Sequence, residues 1–459
     1  MSFFPFQALT GFSGRNRVLP PGPWGLPTLG KVKDMPRSGG QEWVHWAKHK
    51  ELYELLNKRS AIYSSCPRMV FTNDLGTGSW TVALQGLTGA HRAYRKAIHP
   101  SFGSEAAISQ FSSEVGAVIL GAAYAGRYTA EPSNLDKLVH PSNEVMDIFA
   151  QSAKPGAWMV DLIPALKYVS TWFPEANLKR VARRWSAQTR ALIDIPYAFS
   201  KLQIVNVETK PSYTIFSSCP VPPSRGLTWS LSPNGLLGHF MAAAQIQFLR
   251  RWTAFLSQWI CTPDVQAKAH EEIERVIGSA KLPNLEDRSR LSSSYLIAVV
   301  KEILRWHPVA PLEMPHSSIK DDICGDYSIP RESIMLQNIW TMMHEPATYH
   351  DPLTYKPERF LPTKSQDGAS EPDPHSIIFG FGRRVCAGRF LAGNTVFLTV
   401  AQTLAAFNIK NAIQDGVPAS SPPRLTPGLI SHPSPFLFTI KPRTPVHEAL
   451  ISSVEQEYM

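Results

Sequence analysis

Ten residues near the C-terminal end, Phe379-Gly380-Phe381-Gly382-Arg383-Arg384-Val385-Cys386-Ala387-Gly388, constrain this chain more than any other stretch. Glycines flank a cysteine that stands just before a run of helical spacing, Arg389 to Phe407. Its sulfur can therefore be ringed by backbone N–H groups and feel the positive end of the helix dipole. Such surroundings lower a thiol pKa and keep a thiolate. A thiolate in a Gly-rich loop beneath an aromatic ring suits the proximal side of an iron porphyrin, with the adjacent arginine free to meet a propionate. A buried, inert cysteine in a loop is the competing reading of the same residues.

Whatever surrounds that loop is large and folded. The 459 residues are 43% apolar and 18% charged, with 22 Phe and 12 Trp, which excludes a disordered or fibrous chain. The 39 prolines point to long ordered connections between capped helices. Five cysteines, Cys66, Cys219, Cys261, Cys324 and Cys386, are scattered without a CxxC pair, so neither a disulfide framework nor a zinc site is expected. The net charge of +9 is spread over the chain without a basic run, and nucleic-acid binding is not expected. No stretch approaches the roughly 20 apolar residues of a membrane span.

Helical spacing predicts helices over Glu42–Ser60, Gly89–Ala97, Pro263–Ile277 and Tyr295–Trp306, the last stopped by His307-Pro308, with further helices broken at prolines between Asn143 and Phe199. Pro20 to Gly30 holds four prolines and three glycines and reads as a stiff hinge. From Leu202 to Asn234 the pattern dissolves into Ser, Pro and Thr. The stretch ICGDYSIPRESIMLQN alternates polar and apolar residues around a turn and predicts a small hairpin, so sheet content is minor and late.

The loop F-x-x-G-x-R-x-C-x-G resembles the haem-binding signature of the cytochrome P-450 superfamily at every fixed position. Two further motifs of that family follow the expected order: Glu302-Ile303-Leu304-Arg305 on a helix and Pro357-Glu358-Arg359-Phe360 before the loop. Alone, a Glu and an Arg three apart are most often a solvated surface pair. With their companions they imply the family's structural triad of Glu302, Arg305 and Arg359. The wording of LQNIWTMMHEPATY, YKPERFLP and CAGRFLAGNTVFLTVAQTLAAFNI is similar to fungal members of the O-methylsterigmatocystin oxidoreductase type.

The resemblance implies a single, triangular, mainly α domain with a small β component and haem b held between the central and proximal helices. Cys386 would be the axial thiolate, within Phe379, Gly382 and Gly388; Arg384, Arg95 (in HRAYR, with His91 where the family often has Trp) and His316 would meet the propionates. It also implies a monooxygenase that inserts one atom of O2 into a lipophilic small molecule. Electrons would come from NADPH through a cytochrome P-450 reductase docking at Arg383, Arg384 and Arg389, and the setting would be the cytosolic face of the endoplasmic reticulum membrane. The organisation expected is a residual segment over 1–17, a hinge over 18–30, the catalytic domain over 31–445 with 200–234 disordered or misread, and a tail over 446–459. The family's N-terminal anchor is expected to be missing, leaving the chain as it stands soluble or peripheral.

In two places the chain departs from the pattern. KHKELY runs into ELLNKRS at Tyr53-Glu54, where the family inserts two strands, so an uncovered sheet edge is expected. In the central helix, where the family places an acid and an alcohol that relay protons to bound oxygen, the chain reads Met241-Ala242-Ala243-Ala244-Gln245-Ile246-Gln247-Phe248. Ile246 and Gln247 stand where Asp and Thr are expected, and neither can act as a general acid. The codons ATG GCN GCN GCN CAR ATH CAR TTY, read from the third base of the Met codon, permit Gly-Gly-Gly-Ala-Asp-Thr-Val. The segment is therefore read as out of frame. Taken literally, it fits an oxygen-independent haem-thiolate isomerase or dehydratase, or a catalytically dead haem-binding scaffold.

Overall fold

The computed structural model describes residues 2–4, 20, 41–46, 53–76, 83–104, 140–153, 157–170, 177–206, 262–291, 294–362, 370–414, 417–418, 424–434 and 436–458. Among the described residues seven longer helices carry the architecture: α1 (Gly89–Phe102), α2 (His140–Ser152), α3 (Asn177–Asn206), α4 (Pro263–Val276), α5 (Tyr295–Trp306), α6 (Arg389–Ala406) and α7 (Pro445–Tyr458). Polar caps set their starts. Thr88 accepts the N–H of His91 at 3.3 Å, and Ser294 accepts that of Ile297 at 3.3 Å, satisfying donors that the first turn cannot. At α5 the helix stops at Trp306, where Pro308 denies the next residue helical geometry.

The core that supports the C-terminal half lies between α4, α5 and α6. Val299, Ala269, Phe397, Ala401 and Leu404 are wholly shielded there. Gln266 of α4 reaches the strand after α6 and pairs with it as another strand would: its Nε2 donates to the Ile409 carbonyl at 3.0 Å and its Oε1 accepts the Ile409 N–H at 2.9 Å. A buried amide satisfied at both ends in this way fixes helix to sheet at little desolvation cost. A separate aromatic cluster holds the N-terminal half, with Phe71 stacked on Trp158 and Trp185 edge-on to both.

The strands are short. β1 (Ser2–Phe4) and β2 (His316–Ser317) flank β5 (Ile334–Leu336) in an antiparallel sheet, and β3 (Asp322–Cys324) and β4 (Tyr327–Ile329) form a hairpin. After α6, β6 (Phe407–Asn411) pairs with the later strand Phe438–Pro442.

Three expectations are corrected. The ICGDYSIPRESIMLQN stretch is more than a hairpin, since β5 leaves it to pair with β2; a two-residue strand offers too short an alternation to be seen in sequence. The edge expected to lie open on that sheet is flanked by Ser2–Phe4. Helix α3 passes through Pro196 and continues to Asn206, so the helical portion overlaps the start of the stretch expected to be disordered over 200–234. Apolar residues at Leu192, Ile195, Phe199 and Leu202 keep helical spacing across the proline, whose missing donor costs one hydrogen bond without ending the run. Past the domain bound expected at 445, Pro445–Tyr458 is a helix, with His447 buried and Thr444 hydrogen-bonded to its ring at 2.8 Å. Among the described residues no helix is long and apolar enough to cross a membrane. Cys219, Cys261, Ile246, Gln247 and the rest of the central-helix segment lie outside the described residues.

Candidate functional site

The cysteine loop is built by alternation. Phe379 and Phe381 are buried, and the two residues beside them, Gly380 (φ +77°) and Gly382 (φ +53°), take the left-handed conformation that returns the chain toward α6. A Cβ on Gly382 would lie 2.5 Å from Ser60 Cβ and 2.6 Å from the Leu56 carbonyl oxygen, so the loop also presses too closely on its neighbour for any side chain. The Cys386 N–H donates to the Phe379 carbonyl at 2.8 Å and closes the loop, with the Arg384 N–H on the Phe381 carbonyl at 3.0 Å. Gly388 is the residue before α6 and has φ −94°, so it caps the helix without a left-handed turn.

The cations expected around this loop do converge on it. Arg95, from α1, donates to the Val385 carbonyl at 2.8 Å. Burial lowers its pKa, while the nearby Cys386 sulfur raises it and Arg389 lowers it. Arg384 donates through Nε to the Ser64 carbonyl at 2.7 Å and through its other arm to the Gln85 carbonyl. It is thus turned inward and does not belong to a docking surface; Arg383 and Arg389 remain exposed.

Two buried imidazoles complete the set. His91 and His316 each carry an Nδ1 without a hydrogen-bond partner. Burial first, then the Arg384 guanidinium, pulls both down to about 4, with Arg95 and Arg92 adding to the effect at His91. Both rings are therefore neutral at pH 7 within reach of the Arg384 guanidinium.

Behind the loop lies the ionic cluster. Arg305 Nε and Nη2 donate to the two oxygens of Glu302 at 2.7 and 2.9 Å, and Arg359 Nε lies 3.2 Å from Glu302 Oε2. The Lys356 N–H adds a further bond to Glu302 at 2.8 Å. Arg305 also donates to the Met343 and Pro352 carbonyls, and Arg359 to those of His350, Asp351 and Thr354 and to Glu371. The three side chains of the cluster are essentially without solvent exposure.

Sequence reasoning missed Ser64 and Gln85, because a carbonyl acceptor has no residue signature. It also missed Glu313, whose carboxyl lies against Gly380. An acid among apolar residues in PVAPLEMPH was the available signal.

A helix-rich domain with a cysteine loop closed on itself, two arginines on that loop and a buried Glu-Arg-Arg cluster defines the class. The family profile described as cytochrome P450 matches residues 252–440. The chain is 35% identical to cytochrome P450 monooxygenase ppsD of Aspergillus oryzae, covering 96% of this chain and 92% of that one. It is 32% identical to cytochrome P450 monooxygenase claR of Ampulloclitocybe clavipes, with 97% and 90% covered, and 31% identical to an O-methylsterigmatocystin oxidoreductase of Aspergillus flavus, with 96% and 90% covered. The chain belongs to the cytochrome P450 family.

That family carries haem on a cysteine thiolate, and the residues here fit the group. Orphaned Nδ1 atoms at His91 and His316, together with Arg95 and Arg384, offer donors and positive charge suited to a pair of carboxylates.

Proposed function

We propose that the chain is a haem-thiolate monooxygenase of fungal secondary metabolism that oxidises a lipophilic small molecule, using O2 and electrons relayed from NADPH by a reductase. The observation that carries this reading is the closed loop that presents Cys386 beside Arg95. In this reading the Cys386 thiolate would hold the haem, and the group when bound would supply activation of O2. Arg95, Arg384, His91 and His316 hold its carboxylates, and buried Phe379 and Phe381 keep water from the sulfur's side. The Glu302, Arg305 and Arg359 cluster holds the loop's supporting segments in place. The exposed Arg383 and Arg389 supply positive charge for an acidic reductase at the cytosolic face of the endoplasmic reticulum.

The proton relay is read as Asp and Thr encoded in the shifted frame at Ile246 and Gln247. Sequencing the transcript over the codons for Phe199 to Val265 tests this; codons for the present residues sink it. Those present residues favour a second reading, an oxygen-independent haem-thiolate isomerase or dehydratase, which needs no acid and alcohol pair. Reductase-dependent NADPH consumption separates the two.

The test of the main reading is reconstitution with haem and the reduced carbon-monoxide spectrum. The wild type is expected to give the thiolate-ligated band, and Cys386→Ala to lose it. A wild type that binds haem without that band, or a Cys386→Ala chain that keeps it, overturns the assignment.

A further inference from the structure

One guanidinium joins the elements that carry two buried imidazoles. Arg384 donates through Nε to the Ser64 carbonyl, and the next carbonyl, that of Ser65, accepts the N–H of Ser317, the neighbour of His316 on β2. Its other arm reaches the Gln85 carbonyl, shortly before Thr88, which caps α1 at the turn that carries His91. Arg384 thus ties the strand of His316 to the helix of His91 at the cysteine loop. Both imidazoles stand on ordered backbone: His316 pairs with Met335 of β5, and the His91 N–H is fixed by the Thr88 cap.

Each ring is only 2% exposed, and at each the Nδ1 atom is shut off from solvent and lacks a hydrogen-bond partner. Among the described residues the charged groups that act on them are cations: Arg384, Arg95 and Arg92 on His91, and Arg384 on His316. The Tyr63 backbone bonds the His316 ring and favours its proton. Glu313 and Arg384 both act on the Cys66 thiol, but the Glu313 carboxyl is not among the groups that shift either ring.

An imidazole nitrogen buried without a partner is costly, and nothing in the described fold offsets that cost at either ring. A carboxylate offsets it, because it accepts from a ring nitrogen and its charge counters the repulsion that a guanidinium imposes on a ring proton. Haem brings two carboxylates. We propose that the haem seat takes up protons as it fills, with His91 and His316 as the groups that receive them. This inference rests on the reading of the cysteine loop as the haem site and adds a regulation to it, since retention of the group then depends on pH. Burial first, then the guanidinium groups, hold both rings at about 4, and a carboxylate alongside moves them back toward the ordinary histidine value of about 6.5. Between those values the chain with haem binds more protons than the chain without it, so haem affinity falls as pH rises through that window.

The test uses the full chain and two probes, haem and haem dimethyl ester, which has no carboxylate. Proton uptake on binding is measured at pH 6 by calorimetry in two buffers that differ in ionisation enthalpy. The wild type is expected to take up at least about one proton more with haem than with the ester. His91→Gln and His316→Gln are each expected to lose about half of that excess, and the double variant all of it. From pH 5.5 to pH 7 the wild type's affinity for haem is expected to fall about tenfold or more relative to that of the double variant. Protons released at Cys386 are common to these chains and cancel in the comparison. A double variant that keeps the excess overturns the proposal. If the double variant does not fold, the two probes in the wild type decide alone, and equal uptake overturns it. An excess that depends on both histidines in a chain without the thiolate band would uphold the seat and overturn the reading of Cys386.

Discussion

Arg305 Nε stands 2.7 Å from Glu302 Oε2, one turn along the same helix, with both side chains entirely shielded from solvent. The second guanidinium, that of Arg359, depends on the same carboxylate. Removing the negative charge therefore leaves buried Arg305 without a carboxylate and Arg359 with Glu371 alone. Glu302→Gln is expected to cost about 3–5 kcal/mol, read as a lower midpoint in urea unfolding. A loss below about 1 kcal/mol would mean that the backbone carbonyls around Arg305 and Arg359 suffice by themselves.

Gly382 and Gly278 share a positive φ but differ in their surroundings. A Cβ on Gly278 meets nothing within 4 Å, whereas one on Gly382 meets Ser60 and Leu56. Gly278→Ala should cost only the conformational penalty of about 1 kcal/mol. Gly382→Ala adds a collision with the backbone and should cost about 3 kcal/mol or more. Equal losses in parallel melts would show that the loop retreats from Leu56 without penalty.

Asp161 titrates against stability in one direction. Burial pushes its carboxyl up to about 6 while one oxygen accepts the Phe71 N–H at 2.8 Å and the other has no partner. The folded chain then holds its proton more tightly than the unfolded chain, so stability falls as pH rises from about 4 to about 6. Asp161→Asn keeps an acceptor for Phe71 and removes the ionisation. It is expected to be more stable at pH 7 by about 2–3 kcal/mol, with the advantage vanishing near pH 4.

His316 acts with the opposite sign. Its ring is pulled down to about 4, so the folded chain binds fewer protons than the unfolded chain. That stability is complete above the ordinary histidine range and is lost as pH falls from about 6.5 to about 4. In the apoprotein, His316→Gln should flatten this acid-side slope by about 3 kcal/mol over the window. An unchanged slope would assign the acid sensitivity to His91, His270 or His344, which are lowered in the same way.

Much of the C-terminal half was legible because its information is local. Helix α5 ends where the proline demands, and Glu302 and Arg305 lie three apart on it. The loop's glycines, too, are written into consecutive residues. The partners of Arg384 were not legible, since Ser64 and Gln85 contribute only carbonyls. Pro196 misled because it was weighed as a breaker without the apolar spacing on either side of it. Glu313 was passed over because its meaning lies in a backbone angle and in the nearness of Gly380, neither of which follows from residue type.

The bonds from Arg384 to Ser64 and Gln85 span 320 and 299 residues, and that from Arg95 to Val385 spans 290. On a ribosome the acceptors at Ser64 and Gln85 leave the exit tunnel long before the arginine that needs them. The cysteine loop therefore matures last, by docking onto an N-terminal half that has had the whole of synthesis to become ordered. Such distant closure is slow, and it makes the quality of the first hundred residues the condition for a finished cysteine loop at the far end of the chain.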